Sequence, residues 1–219
     1  MKHVSSILLI AITLIFLIGI SPKSFSAELS DTVLIIIKER YGSADIQFLG
    51  NDEAILMKQT LEEFGYRVQI ASASGRTFLT KKVTLESDYK LAEVIVEDYI
   101  GFIITCSGQV HERSIDRSQI LAFGEAIIKP EEVAIVKKII DSRKPIAAQH
   151  AGVISLAEAG GLKGKKYSYM RDLQLDGDNY GGQGVIRDGD IITSTYCPYY
   201  GPKDQTVELA KALIDAMQE

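Results

Sequence analysis

Residues 32–38 read TVLIIIK, an almost unbroken apolar and mostly β-branched run. A strand that faces water on one side alternates apolar with polar residues. This one does not, so it must be covered on both faces, as an inner strand of a parallel sheet is. Parallel neighbours cannot be joined by a tight turn and need a crossover of a dozen or more residues, usually a helix. The single run therefore commits the chain to alternating strands and helices.

The rest of the sequence supplies them. After a cap at Asn51 or Asp52, Ile55, Leu56, Thr60, Leu61 and Phe64 fall at helical spacing and Gly65 stops the helix. Residues 66–71 (YRVQIA) form a second strand. Residues 72–88 are polar and irregular, with a small hairpin within 77–85, and residues 99–105 (YIGFIIT) form another buried strand. A short helix is expected over 118–128. Pro130 opens a longer one, with Glu131 and Glu132 in its first turn and Lys137, Lys138, Arg143 and Lys144 toward its end, as the helix dipole favours. Residues 145–148 make a strand and 150–159 a helix closed by Gly160 and Gly161. Residues 185–195 make a hairpin turning at Asp188-Gly189, and an amphipathic helix covers 203–217. The predicted architecture is a three-layer α/β sandwich with a mostly parallel sheet. Such sheets place their sites at the carboxyl ends of the strands, here after Lys38, after Thr105 and at Gln149.

The first 27 residues stand apart. Lys2 and His3 precede an apolar run over residues 4–20, short for a membrane span and interrupted by Ser and Thr. Pro22 and the small residues around Ser24 to Ala27 follow. This predicts a cleaved export signal over 1–27 and one domain over 28–219, in the periplasm or outside the cell; an uncleaved N-terminal anchor is the alternative, and the only membrane contact expected. Without Lys2 and Lys23, the 24 basic residues fall to 22 against 29 acidic ones, a net charge of about −7. That surface repels nucleic acid, and no basic run with interleaved aromatics offsets it. Two cysteines, Cys106 and Cys197, are too few for a disulfide scaffold, though export permits one disulfide.

Residues 144–166, KPIAAQHAGVISLAEAGGLKGKK, resemble the elbow segment of the DJ-1/PfpI family, in the class I glutamine amidotransferase-like superfamily, where A-I-C-H-G-P leads into an apolar helix and A-G-L-L-K-G-R-K. Residues 96–108 (VEDYIGFIITCSG) are similar to that family's strand ending in P-G-G, and residues 185–198 (VIRDGDIITSTYCP) to its late D-G-N-x-I-T-S-x-x-P hairpin. With residues 61–72 (LEEFGYRVQIAS), the resemblance spans nearly the whole exported domain and implies a flavodoxin-like fold.

Position by position, the resemblance sets the family's nucleophilic cysteine on Gln149 and its histidine on His150. A carboxamide is no nucleophile, so no catalytic residue is assigned, with Cys106 as the only candidate displaced nucleophile. Side chains at Thr105, Cys106 and Ser107 stand where the family's P-G-G leaves space for an oxyanion hole. For the family's acidic partner the candidates are Asp45 and Glu53, neither at the expected distance from Gly65.

The implied function is a non-catalytic small-ligand binding or accessory role. The pocket is walled by Gln149, His150, Cys106, Ser107, Cys197 and Pro198 and takes a small polar molecule; Gln149 can still donate and accept hydrogen bonds. The alternative is a hydrolase, amidase or glyoxalase-type enzyme using Cys106 or a bound water. In the resembling fold both cysteines border the elbow, which leaves open a Cys106–Cys197 disulfide or two buried thiols. No cofactor is expected. No metal is assigned either, since Cys106, His111, His150 and Cys197 match no standard zinc spacing. Residues 172–182 lack the ligands of a calcium loop and read as a solvated turn. Lys163, Lys165 and Lys166 resemble a phosphate cluster without a P-loop. Relatives often pair, so a homodimer is expected.

Overall fold

The computed structural model describes residues 31–39, 53–79, 84–106, 130–170, 172–173, 179–198 and 201–219. In chain order these form β1 (Thr32–Ile37), α1 (Ala54–Glu63), β2 (Arg67–Ser72), β3 (Phe78–Leu79), β4 (Thr84–Leu85), β5 (Tyr89–Lys90), β6 (Gly101–Ile104) and α2 (Pro130–Ser142). There follow β7 (Ile146–Gln149), α3 (Gly152–Glu158), β8 (Lys166–Tyr167), β9 (Asn179–Tyr180), β10 (Val185–Asp188), β11 (Ile191–Ser194) and α4 (Asp204–Met217). The main sheet runs β10-β11-β7-β6-β1-β2-β5. Only β10 is antiparallel to its neighbour.

The apolar run of β1 is fully covered, and it divides by pleat. Val33, Ile35 and Ile37 join Met57 and Leu61 of α1 and Leu209 and Leu213 of α4 in one core. Leu34 and Ile36 join Ile135 and Ile139 of α2 and Val153 and Leu156 of α3 in the other. Successive side chains of a strand point to opposite faces, so one uninterrupted apolar strand requires two cores. The three-layer α/β sandwich follows from that. Burying a Leu or Ile side chain stabilises by roughly 1.5–3 kcal/mol, which makes β1 the most heavily supported element.

Most predicted elements are present within a residue or two, the 77–85 hairpin among them as β3 and β4. Strand β5 falls outside the expectations. Its residues Tyr89 and Lys90 are exposed at the sheet edge, where no apolar pattern is required. The expected 118–128 helix, the 1–27 segment, Asp45, Ser107 and His111 lie outside the described residues. No helix among the described residues is long and apolar enough to cross a membrane.

Glu132, read from the sequence as a first-turn residue favoured by the helix dipole, is buried. Its carboxylate holds Lys38, also buried at the end of β1, at 3.0 Å; the Lys38 ammonium donates as well to Ser155 Oγ at 2.8 Å. Ser155 in turn donates to Glu132. This network ties β1 to α2 and α3 directly beneath the carboxyl edge of the sheet.

Candidate functional site

Four segments meet at that edge. Thr105 and Cys106 continue β6, His150 and Ala151 join β7 to α3, Cys197 follows β11, and Glu53 precedes α1.

The corner after β7 holds the first surprise. Gln149, expected at the bend, is the last strand residue, paired with Ser194 of β11. Its amide nitrogen donates to the Tyr196 carbonyl at 2.7 Å and to Thr206 Oγ1 on α4 at 2.8 Å, and the side chain is fully buried. The bend residue is His150, whose φ of 46° lies in the left-handed region that non-glycine residues seldom occupy. The physical reason lies at Gly152: a Cβ there would sit 3.0 Å from the carbonyl oxygens of both Ile104 and Thr105. Helix α3 can begin against β6 only through a glycine, and two residues remain to turn the chain. Gln149 is therefore locked between β11 and α4 and does not wall the site.

His150 points to the cysteines. Its Nδ1 is 3.0 Å from Cys106 Sγ, and its ring lies against Tyr169 with centroids 5.9 Å apart and planes 27° from parallel. The ligand atoms of Cys106, His150 and Cys197 all fall within 4.8 Å of one another, and all three residues are buried. Both cysteines are free thiols, close together with no bond between them. Pro198, next to Cys197, is half-buried.

Glu53 completes the cluster. Its Oε1 accepts the Cys106 N–H at 2.6 Å, and the residue is 3% exposed. Burial pushes its carboxyl well above the usual range and Cys197 adds to this, while the Cys106 N–H opposes it. Burial likewise raises the Cys106 thiol well above its ordinary value; Cys197 and Glu53 add to this, and the Ala151 N–H works against it. The arrangement thus holds Cys106 as a neutral thiol. Of the two acidic candidates, Glu53 is found at this site and Asp45 lies outside the described residues; the spacing to Gly65 had singled out neither.

The sequence reading also missed Tyr169 and the Lys38–Glu132 pair, because a stacking partner and a buried ion pair leave no local pattern. Of the lysine cluster, Lys165 and the Lys166 backbone are engaged by Asp188. Asp188 accepts the Lys166 N–H at 2.7 Å, and its carboxylate lies 3.4 Å from Lys165 Nζ, pinning the β10–β11 turn.

Known proteins share the fold. A protein-family model for the DJ-1/PfpI family matches residues 33–202. An uncharacterized protein of Archaeoglobus fulgidus is 32% identical over 139 residues, covering 61% of this chain and 75% of that protein. Among solved structures, a ThiJ/PfpI domain protein from Brachyspira murdochii superposes with a TM-score of 0.65 at 16% identity, covering 86% of this chain and 97% of that one. Drosophila melanogaster DJ-1beta superposes with a TM-score of 0.58 at 20% identity, covering 87% and 92%. By sheet order, by the strand-to-helix corner and by the extent of these matches, the chain belongs to the DJ-1/PfpI family.

Proposed function

We propose that this chain is an exported, non-catalytic binding or accessory member of its family. Its bend carries an imidazole where thiol chemistry needs sulfur. Counted back from Gly152, the family's A-I-C-H-G-P falls on residues 148–153, and its cysteine on His150 rather than Gln149. A nucleophile elbow works by presenting the attacking atom on a strained turn, where the substrate can reach it. Here the strained residue is a histidine.

The observation that carries the reading is burial: Cys106 and Cys197, the only cysteines in the chain, are 1% and 2% exposed. The resemblance also sets Cys106 where the family's oxyanion hole has a glycine, which supports the reading. Export rests on the character of residues 1–27, and a homodimer on the family resemblance. The guest is a small polar molecule held near His150, Cys106, Cys197 and Pro198.

One observation favours a second reading. The 3.0 Å approach of Cys106 to His150 is the distance of a nucleophile and its base. In that reading Cys106 is a displaced nucleophile.

A single experiment separates the two. Purified protein and its Cys106→Ser variant are assayed on an α-oxoaldehyde, an activated ester and a peptide amide. The binding reading expects both proteins to match the no-enzyme rate. Turnover that disappears in Cys106→Ser would establish the displaced nucleophile instead.

A further inference from the structure

We propose that Cys106, His150 and Cys197 form a binding site for one zinc ion, held by two thiolates and one imidazole. This deepens the reading of the site as one that binds without family-type turnover, and rests on it. It also departs from the expectation of no metal, which was drawn from sequence spacing alone. The three residues come from three strand ends, so the fold assembles the site and no short motif announces it.

The donor set is the first argument. Two sulfurs and an imidazole nitrogen suit zinc or copper(I) and are poor ligands for calcium or magnesium. Geometry is the second. A tetrahedral zinc with these ligands needs donor separations of roughly 3.5–3.8 Å. The Cys106–His150 distance of 3.0 Å and the 4.8 Å limit on the whole set bracket that range. Moving a sulfur by about 1 Å reaches it.

Charge decides between the two metals. Two thiolates and a neutral imidazole carry two negative charges. Zinc(II) leaves a neutral cluster, copper(I) a net anion, and these residues are almost wholly withdrawn from water. Two neighbours restrict where the ligands sit: Glu53 accepts the Cys106 backbone N–H, and Tyr169 packs against the His150 ring. Three protein ligands leave a fourth coordination position, and an oxygen or sulfur atom of the small polar guest would occupy it.

The test uses the purified protein, stripped with a chelator under reductant and then given one equivalent of zinc(II), cobalt(II) or copper(I). Native mass spectrometry should show one zinc bound with loss of two protons. Cobalt should give the sulfur-to-metal charge-transfer absorption of two thiolates with tetrahedral visible bands. Cys197→Ser should weaken zinc binding at least about 100-fold in competition with a chromophoric chelator. Should that variant fail to fold, the cobalt spectrum of the unaltered protein still decides.

No stoichiometric zinc, a cobalt spectrum without thiolate bands, preferential one-to-one copper(I) binding, or a Cys106–Cys197 disulfide that persists under these conditions would each overturn the proposal. The functional reading fails separately. Turnover by metal-free protein that vanishes in Cys106→Ser would overturn that reading and leave the zinc result standing.

Discussion

His150 and Gln149 exchange the roles that the sequence suggests for them, and the exchange is one of backbone register. Gln149 completes a strand and spends its amide on Tyr196 and Thr206, whereas His150 takes the left-handed turn and faces Cys106. Gln149→Leu should therefore act on stability rather than on the site. Removing the donor leaves the buried Thr206 hydroxyl and Tyr196 carbonyl short of a partner, a cost of about 1–3 kcal/mol in urea unfolding. Zinc affinity should stay within a few-fold of the unaltered protein; a large loss of affinity with unchanged stability would return Gln149 to the site. The register was legible in principle. Gly152 is the residue that the close approach to β6 demands, whereas a histidine at the bend follows no steric rule and cannot anchor an alignment.

Among the elements, β1 and its flanking helices were readable because an inner parallel strand must be apolar on every residue. Edge strand β5 and the buried Lys38 were not. An exposed edge imposes no pattern, and a lysine at a strand end looks solvated until the helix carrying Glu132 is packed over it. That pair predicts how the elements are coupled. Lys38→Met leaves the Glu132 carboxylate buried without its cation and should cost about 3–5 kcal/mol by chemical denaturation. Adding Glu132→Leu should recover much of the loss, since an apolar pair of similar volume is often as stable as a buried ion pair. A double variant no more stable than the single one would mean that the network also fixes α2 and α3 by its geometry. The corner at His150 depends on that alignment, because α3 carries both Gly152 and Ser155.

Across the whole molecule, Glu53, Cys106, His150 and Cys197 lie far apart in the chain and meet only when α1, β6, β7 and the segment after β11 are all in place. Both thiols are buried, so an alkylating reagent should reach their sulfurs only when the fold opens. The family and the fold were legible in the sequence, because the elbow segment and the strand pattern are continuous stretches of it. The assembly of cysteines and histidine was not, because it depends on tertiary contacts between strand ends. Alkylation of the chelator-treated, reduced protein by iodoacetamide, mapped by peptide mass, tests the account most directly. In the native protein, neither Cys106 nor Cys197 should be modified in the time that glutathione reacts to completion, and both should be modified together in denaturant. Stoichiometric alkylation of Cys106 in the native state, with Cys197 untouched, would contradict it.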